Sequence, residues 1–296
     1  MTIGAVQRLF YPAVMIVAVA LLWGALALDL PLAAAPYLAI AVAGPLIVVG
    51  ERIIPFRPAW APDLHELLDD GAFLVMVQIV VPLVLGWIAI FGLQRLLSAN
   101  GLTFDVWPQT WPLWAQVVLK ILAGDLLRYG LHRASHRFPP LWRLHAVHHA
   151  PTKLYALNVF RFHPLDKGLQ FLGDTLPFIL MGVGPEVLAY YFVVYAVSGL
   201  FQHSNVDVRL GWFNYLISGP EVHRWHHSQV VAESDGNYAH TFAGWDVLFG
   251  TYIRPRRPIG PLGLLDPAYP RTFAGQMIAP LRYSGSAPKP DASPRL

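Results

Sequence analysis

The most constraining feature of this sequence is a series of apolar runs that are long enough to cross a lipid bilayer. A transmembrane helix needs about 20 mostly apolar residues, and four runs approach or exceed this length, residues 11–28, 31–49, 71–93 and 111–127. A fifth run, residues 171–200, is interrupted by Gly-Val-Gly-Pro at 182–185, and its halves of about 12 residues are each too short to cross. The sequence therefore predicts an all-α integral membrane protein with about four transmembrane helices plus a re-entrant or broken hairpin.

The amino-acid composition supports a lipid-facing surface and excludes several kinds of site. Charged residues make up 13% of the chain, against about 25% in typical soluble domains, so charge cannot cover the whole surface. The absence of cysteine excludes disulfides, iron–sulfur clusters and thiolate metal sites. Because the net charge is only +3, we expect no nucleic acid partner.

The distribution of basic residues predicts the orientation in the membrane. Four crossings would place the N-terminus, the loop at 51–70 and everything after about residue 132 on one side. Only Arg95 falls on the opposite side, while Lys120 and Arg128 lie in or beside the fourth run. Because positive charge is retained on the cytoplasmic side, we expect both termini and a histidine-rich helical cap to be cytoplasmic. The short N-terminus, without a signal for the endoplasmic reticulum, favours a bacterial inner membrane.

The histidines are concentrated in one part of the chain. All of them except His65 lie between His132 and His240. Most belong to three clusters, His132-Arg-Ala-Ser-His136, His145-Ala-Val-His148-His149 and His223-Arg-Trp-His226-His227. Residues at i, i+3 and i+4 lie on one face of a helix, so we expect each cluster to present two or three imidazoles in one direction, as a metal site requires.

The number and type of these side chains indicate two metal ions. A catalytic zinc ion takes only three protein ligands, so the clustered histidines are too many for one metal. Imidazole suits iron, zinc, copper and nickel, and the missing His-Glu-x-x-His sequence argues against a zinc peptidase. Zinc has no redox chemistry, so a membrane-embedded centre of this kind is most readily explained by O₂ activation.

A series of short polar motifs connects these clusters from Asp125 through Tyr252. In order, the motifs are Asp125-Leu-Leu-Arg-Tyr129, His132-Arg133, His136, Trp142, His145-Ala-Val-His148-His149, Arg161-Phe-His163-Pro164, Gln202-His203-Ser204-Asn205, His223-Arg-Trp-His226-His227-Ser228, Asn237-Tyr238 and Trp245-Asp246-Val-Leu-Phe249-Gly250-Thr251-Tyr252. Glu51-Arg52 with Pro55 and Trp60 adds a further match after the second run. In this pattern the chain resembles the fatty acid hydroxylase superfamily, which includes sterol desaturases, sterol methyl oxidases, lipid hydroxylases and alkylglycerol monooxygenase.

This resemblance implies a di-iron centre that uses O₂ to hydroxylate a C–H bond of an acyl, sterol-like, ether or amino lipid. It assigns catalysis and metal binding to His132, His136, His145, His148, His149, His203, His223, His226 and His227. On this interpretation residues 1–110 hold the N-terminal transmembrane helices and loops, and residues 111–255 form the catalytic region. Residues 256–296 form a cytoplasmic tail, whose Pro/Ser-rich end is expected to be disordered.

Four further residues are candidates for supporting the metal site. Metal-bound imidazoles donate their other N–H to a carboxylate or carbonyl, and Asp125 lies seven residues before His132, two helical turns away on the same face. The other candidates in the supporting set are His163, which is either a ligand or a donor, Asn237 and Asp246. We expect His240 not to be a ligand.

The remaining expectations concern electrons, substrate and rival functions. No dinucleotide or fused cytochrome motif is present, so we expect a separate ferredoxin, cytochrome or reductase, docking near residues 254–257. The lipid is expected to enter through a groove between the fourth run and the broken hairpin, lined by Phe171, Phe178, Tyr190 and Tyr191. The alternatives are a desaturase with the same site, a membrane haem-binding electron carrier and a metal transporter.

Overall fold

The computed structural model describes residues 2–102 and 105–282. In these residues the fold is helical, without a β-strand, and three isolated backbone bridges join loops. The principal helices are α1 (Ile3–Ala27), α2 (Ala35–Ile53), α3 (Leu64–Ala99), α4 (Leu113–Arg137), α5 (Pro139–His149), α6 (Pro164–Asp174), α7 (Leu176–Leu180), α8 (Pro185–His203), α9 (Pro220–His226), α10 (Val231–Ser234), α11 (Gly244–Leu248) and α12 (Phe273–Arg282). Short 3₁₀ turns occur at Pro58–Trp60, Ala156–Phe160 and Gly211–Tyr215.

Three of the described helices, α1, α2 and α3, are long and apolar enough to cross a membrane. Helices α1 and α2 pack together with small side chains at the contact, and Ala18, Ala39 and Ala43 are fully buried there. The outer faces of the three helices expose large apolar residues, such as Trp23 of α1 and Trp87 of α3. Such a surface fits a lipid environment, as the sequence predicts.

The predicted fourth span lies within α4, which differs from the first three helices. Its inner face carries the buried polar side chains Gln116, Lys120, Asp125 and Arg128. Lys120 is fully buried, and its ammonium donates to the carbonyl oxygen of Asp174 at 2.8 Å. By length and apolar composition only three of the described helices qualify as spans, so the fourth crossing stays a prediction.

The predicted break in the fifth apolar run is present, but the second half is longer than expected. Helix α7 ends at Leu180, Gly182 adopts a φ of +80°, and α8 begins at Pro185. Proline is favoured at the first position of a helix because its missing N–H is not needed there. Helix α8 then continues for 19 residues to His203, which is longer than the expected half of about 12 residues, but it is not among the described helices that qualify as spans. It packs against α1, α2 and α4.

Helix α3 and the C-terminal segment close the fold around the histidines. Two stretches of α3, Leu74–Val80 and Ile88–Gln94, are wound as π-helix, which is frequent near functional sites. Helix α12, in the predicted C-terminal tail, packs against α5 and the start of α3. The predicted disordered end of the tail lies outside the described residues.

Candidate metal centre

The structure brings all nine predicted metal-binding histidines together at the end of α4. They form two groups, and within each group the candidate ligand nitrogens lie within 4.8 Å of one another. The five-histidine group contains His132, His136, His145, His149 and His226, and the four-histidine group contains His148, His203, His223 and His227. Eight of these side chains are buried and His132 is partly buried.

The two His-x-x-His-His clusters are each divided between the two groups, whereas His132 and His136 stay together. In both His-x-x-His-His clusters the residues at i and i+4 stay together, whereas the residue at i+3, His148 or His226, joins the opposite group. Consecutive residues of a helix are rotated by about 100°. The side chains of His148 and His149 therefore leave the helix in different directions, and these two neighbours serve different groups. Their ring planes lie at 86° to each other. In each cluster two imidazoles share a group, as expected, and only the third imidazole of each His-x-x-His-His cluster points to the other group.

Main-chain carbonyl groups fix the orientation of three imidazoles. The Nδ1–H of His132 donates to the Tyr238 carbonyl at 2.7 Å, that of His226 to Gly236 at 2.7 Å, and that of His148 to Arg161 at 3.3 Å. A carbonyl oxygen only accepts, so the proton is on Nδ1 and Nε2 presents a lone pair. The Nε2 atoms of His132 and His226 are buried without a partner. A buried lone pair without a donor is what a metal ligand requires.

Side-chain oxygens hold two more imidazoles. His145 Nδ1 lies 2.9 Å from Asp166 Oδ2, and its Nε2 is also buried without a partner. His203 Nδ1 donates at 2.8 Å to Asn158 Oδ1, whose amide group donates in turn to the Lys153 carbonyl. These two supporting residues were missed in the sequence. The only signal for Asp166 was its place in the first turn of the helix that follows His163-Pro164.

One contact in the four-histidine group tests the fit to a cation directly. The Nε2 atoms of His148 and His203 face each other at 3.3 Å. Because both rings donate through Nδ1, both facing atoms carry lone pairs, and their approach is repulsive unless a cation lies between them. The residues present therefore fit a bound metal ion.

Burial favours the neutral form of most of these imidazoles. It lowers the pKa of every histidine in the four-histidine group, and repulsion from neighbouring imidazoles lowers it further. Burial also lowers the pKa of four members of the five-histidine group, His132, His136, His149 and His226. Neutral imidazole is the form that binds metal.

The four predicted supporting residues do not contact an imidazole of either group. Asp125 accepts three backbone N–H bonds from the loop at His240–Phe242. Seven residues of helix place Asp125 about 10 Å below His132, which is beyond hydrogen-bond reach. His163 accepts from the Leu165 N–H at the start of α6 and contacts the Met277 carbonyl instead.

Asp246 and Asn237 act on the backbone that carries the acceptors. Asp246 accepts from the N–H groups of Tyr238 and Ala239, both at 2.8 Å, and so holds the segment whose carbonyl orients His132. Asn237, at a φ of 55°, bonds to the carbonyls of Val222 and Ile253. The prediction that these four residues contact a metal-binding imidazole directly is therefore wrong. His240 lies outside both groups, as expected, with its ring stacked at 3.9 Å on that of Tyr195.

A cavity of about 310 Å³ opens onto both groups. Its walls come from α2, α3, α4, α6 and α8, and it reaches His132, His145, His148, His203 and His223. Of the aromatic residues expected in the groove, Phe171 and Tyr191 line the cavity. Phe178 packs against Trp107 instead, and Tyr190 belongs to the core between α1, α2 and α8.

Comparison with known proteins identifies the family. The model of the fatty acid hydroxylase family matches residues 117–251, which include all nine histidines. Ornithine lipid hydroxylase OlsE of Rhizobium tropici is 33% identical over 254 residues, covering 81% of this chain and 73% of the relative. The chain belongs to the fatty acid hydroxylase family. The resemblance inferred from the motifs is confirmed.

Other members of the family are similar over shorter regions. Methylsterol monooxygenase erg25A of Aspergillus fumigatus is 30% identical over 66% of this chain and 64% of its own length. Alkylglycerol monooxygenase of Xenopus tropicalis is 25% identical over 52% of this chain and 33% of its own length. No solved structure gives a significant match. These relatives are hydroxylases and monooxygenases of lipids and sterols, so the chain is an oxidoreductase.

Proposed function

We propose that this protein is a di-iron hydroxylase that uses O₂ to convert a C–H bond of a membrane lipid into an alcohol. The observation that carries this proposal is the pair of buried histidine groups at one end of a cavity. Lone pairs without donors in both groups provide the ligand atoms. The hydroxylases and monooxygenases among the relatives favour hydroxylation over desaturation.

Each histidine group would hold one iron ion. Imidazole ligands suit both iron and zinc, but only iron has the redox chemistry that an oxygenase needs. Bound iron would supply the reduction of O₂, in which one oxygen atom enters the C–H bond and the other leaves as water, with two electrons from a separate donor and two protons from solvent. That donor is proposed to be a ferredoxin, cytochrome or reductase.

The protein's own residues position the ligands and the substrate. Asp166 and Asn158 hold His145 and His203 in the required orientation. The rings of Phe160 and Phe162 line the cavity beside the histidines and exclude water from the reacting carbon. Fixing one C–H bond near the metal and keeping water out are the two contributions that the cavity makes to the rate.

The cavity also indicates how a lipid reaches the site. Its walls include Tyr37 and Ile40 of α2 and Ile79 and Pro82 of α3, and both helices are candidate spans. A lipid could therefore enter laterally from the bilayer. An amino lipid is the first candidate, because OlsE acts on ornithine lipid. We further propose a bacterial inner-membrane location with a cytoplasmic active site.

The proposal is tested by iron content and O₂-dependent lipid hydroxylation in detergent-purified protein. His226→Ala removes a ligand from the five-histidine group and His223→Ala one from the four-histidine group. Both variants are expected to lose iron and activity. His65→Ala, which changes an exposed histidine outside both groups, is the matched control and should retain both. Haem absorbance, or no bound iron after anaerobic loading, would contradict the proposal.

A further inference from the structure

The cavity has a charged wall on the side formed by α4 and α6. Arg128, Lys167 and Asp174 all line it. The Arg128 guanidinium donates to Asp174 Oδ2 at 3.4 Å, with both side chains buried. In the described residues no hydrogen bond or salt bridge connects the Lys167 ammonium to another group. The wall therefore carries two cations and one carboxylate.

The other nearby carboxylates are already engaged. Asp166 accepts from His145 and Gln170, and Asp125 accepts three backbone N–H bonds. The ring centre of Tyr195 lies 5.5 Å from Lys167 Nζ and 5.8 Å from the Arg128 guanidinium carbon. Such cation–π contacts stabilise a cation less than a carboxylate does. Among the described residues, the Lys167 ammonium is therefore left without a hydrogen-bonded anion.

The ammonium is charged under ordinary conditions. Burial, and next the positive charge of Arg128, lower the pKa of Lys167 to about 8, which leaves it mostly protonated at neutral pH. A wholly apolar substrate that filled the cavity would strip water from this ammonium without replacing it, which is unfavourable for a charged group. An anionic group on the substrate would instead form a charge-assisted hydrogen bond.

The charged wall lies close to the metal site. The Arg128 guanidinium carbon is 5.8 Å from the centre of the Phe162 ring, and that ring stacks on the His148 imidazole at 4.2 Å. One aromatic ring therefore separates the guanidinium from a metal-binding histidine. A group bound at this wall keeps the carbons next to it within reach of the histidine groups.

We propose that Lys167 and Arg128 bind an anionic group of the lipid substrate, a carboxylate or a phosphate. The carbon that is oxidised then lies near this group in the head of the lipid, and not at the far end of an acyl chain. This inference rests on the proposed function and names the substrate class of the same cavity.

The test is equilibrium binding of two matched lipid pairs to metal-free, detergent-purified protein. N-oleoylglycine and its methyl ester differ by a carboxylate charge, and 1-oleoyl-lysophosphatidic acid and 1-oleoylglycerol differ by a phosphate. Wild type is expected to bind at least one acid about tenfold more tightly than its neutral partner. Lys167→Met should abolish this preference, and Lys167→Arg should retain it. Lys153→Met is the matched control, because Lys153 pairs with Glu66 at 2.7 Å outside the cavity.

The outcomes separate the two proposals. A preference for N-oleoylglycine over its methyl ester identifies a carboxylate site. A preference for 1-oleoyl-lysophosphatidic acid over 1-oleoylglycerol identifies a phosphate site. Equal affinity for acid and neutral lipid in wild type, or a preference that survives in Lys167→Met, overturns the inference. Unchanged binding of the neutral lipids shows that the variant is folded. Because metal is absent from this assay, a failure of iron binding would leave its result intact, and the two failures are distinguishable.

Discussion

Replacing Asp166 with asparagine tests the support of the five-histidine group. The Asp166 carboxylate accepts from His145 Nδ1 at 2.9 Å and from Gln170 Nε2 at 3.1 Å. The Gln170 Oε1 atom is buried without a partner, so the Gln170 amide can turn and accept from the new amide. The asparagine oxygen can then still face His145. Asp166→Asn thus removes the negative charge and keeps the shape.

The expected effect is a loss of metal affinity. Removing a carboxylate that supports a metal-bound histidine typically weakens binding about 10–100-fold, which corresponds to about 1.4–2.7 kcal/mol. The weakening acts first on the five-histidine group, because His145 belongs to that group alone. Lipid hydroxylation should fall in parallel.

The assay is a competition titration of ferrous iron against a chelator, with thermal unfolding measured on the same samples. Asp174→Asn is the matched control, because Asp174 is a buried carboxylate at the other end of α6 that pairs with Arg128. It should lower the unfolding temperature but leave iron affinity unchanged. Unchanged affinity in folded Asp166→Asn, or an equal loss in Asp174→Asn, would refute the reasoning.

Three further predictions concern stability and access. Burial holds the pKa of cluster histidines such as His148 below 6.5, so the unfolded chain binds more protons below that pH. The free energy of unfolding of metal-free protein should therefore fall on acidification, by about 1.4 kcal/mol per pH unit for each such imidazole. Thermal unfolding that does not change with pH would contradict this. Ala43→Leu overfills the fully buried contact on α2 and should destabilise by about 1–3 kcal/mol in denaturant titrations. Ala196→Trp fills the cavity and should abolish lipid hydroxylation without loss of iron, as elemental analysis would show.

The sequence was sufficient to predict the family and the identity of the candidate ligands. Apolar runs of the right length predicted α1, α2 and the apolar part of α3, and Gly182 with Pro185 marked the break before α8. Recurring histidine motifs carry a signal in residue type and spacing alone. The polar inner face of α4 was harder to recognise, because the buried charges of Lys120 and Asp125 are widely spaced in an otherwise apolar run.

The supporting contacts could not be predicted because their partners are distant or belong to the main chain. Asn158 and His203 are separated by 45 residues. The acceptors for His132 and His226 are backbone carbonyls, which exist at every position and leave no signal in the sequence. Asp125 and Asp246 were recognised as important polar residues, but they hold loops and do not hold imidazoles. The sequence therefore revealed which residue types the site contains. The atoms that each side chain contacts depend on the fold.

The reciprocal sharing of the two His-x-x-His-His clusters has a consequence for how the centre fills with metal. Helix α5 contributes to both groups, and so do α9 and the histidine that follows it. An ion bound in one group restrains the same backbone that carries ligands of the other group. Part of the entropy cost of ordering the second site is therefore incurred when the first ion binds. We therefore expect cooperative loading, with half-filled protein scarce at intermediate iron concentrations. A single ligand loss should accordingly empty both sites.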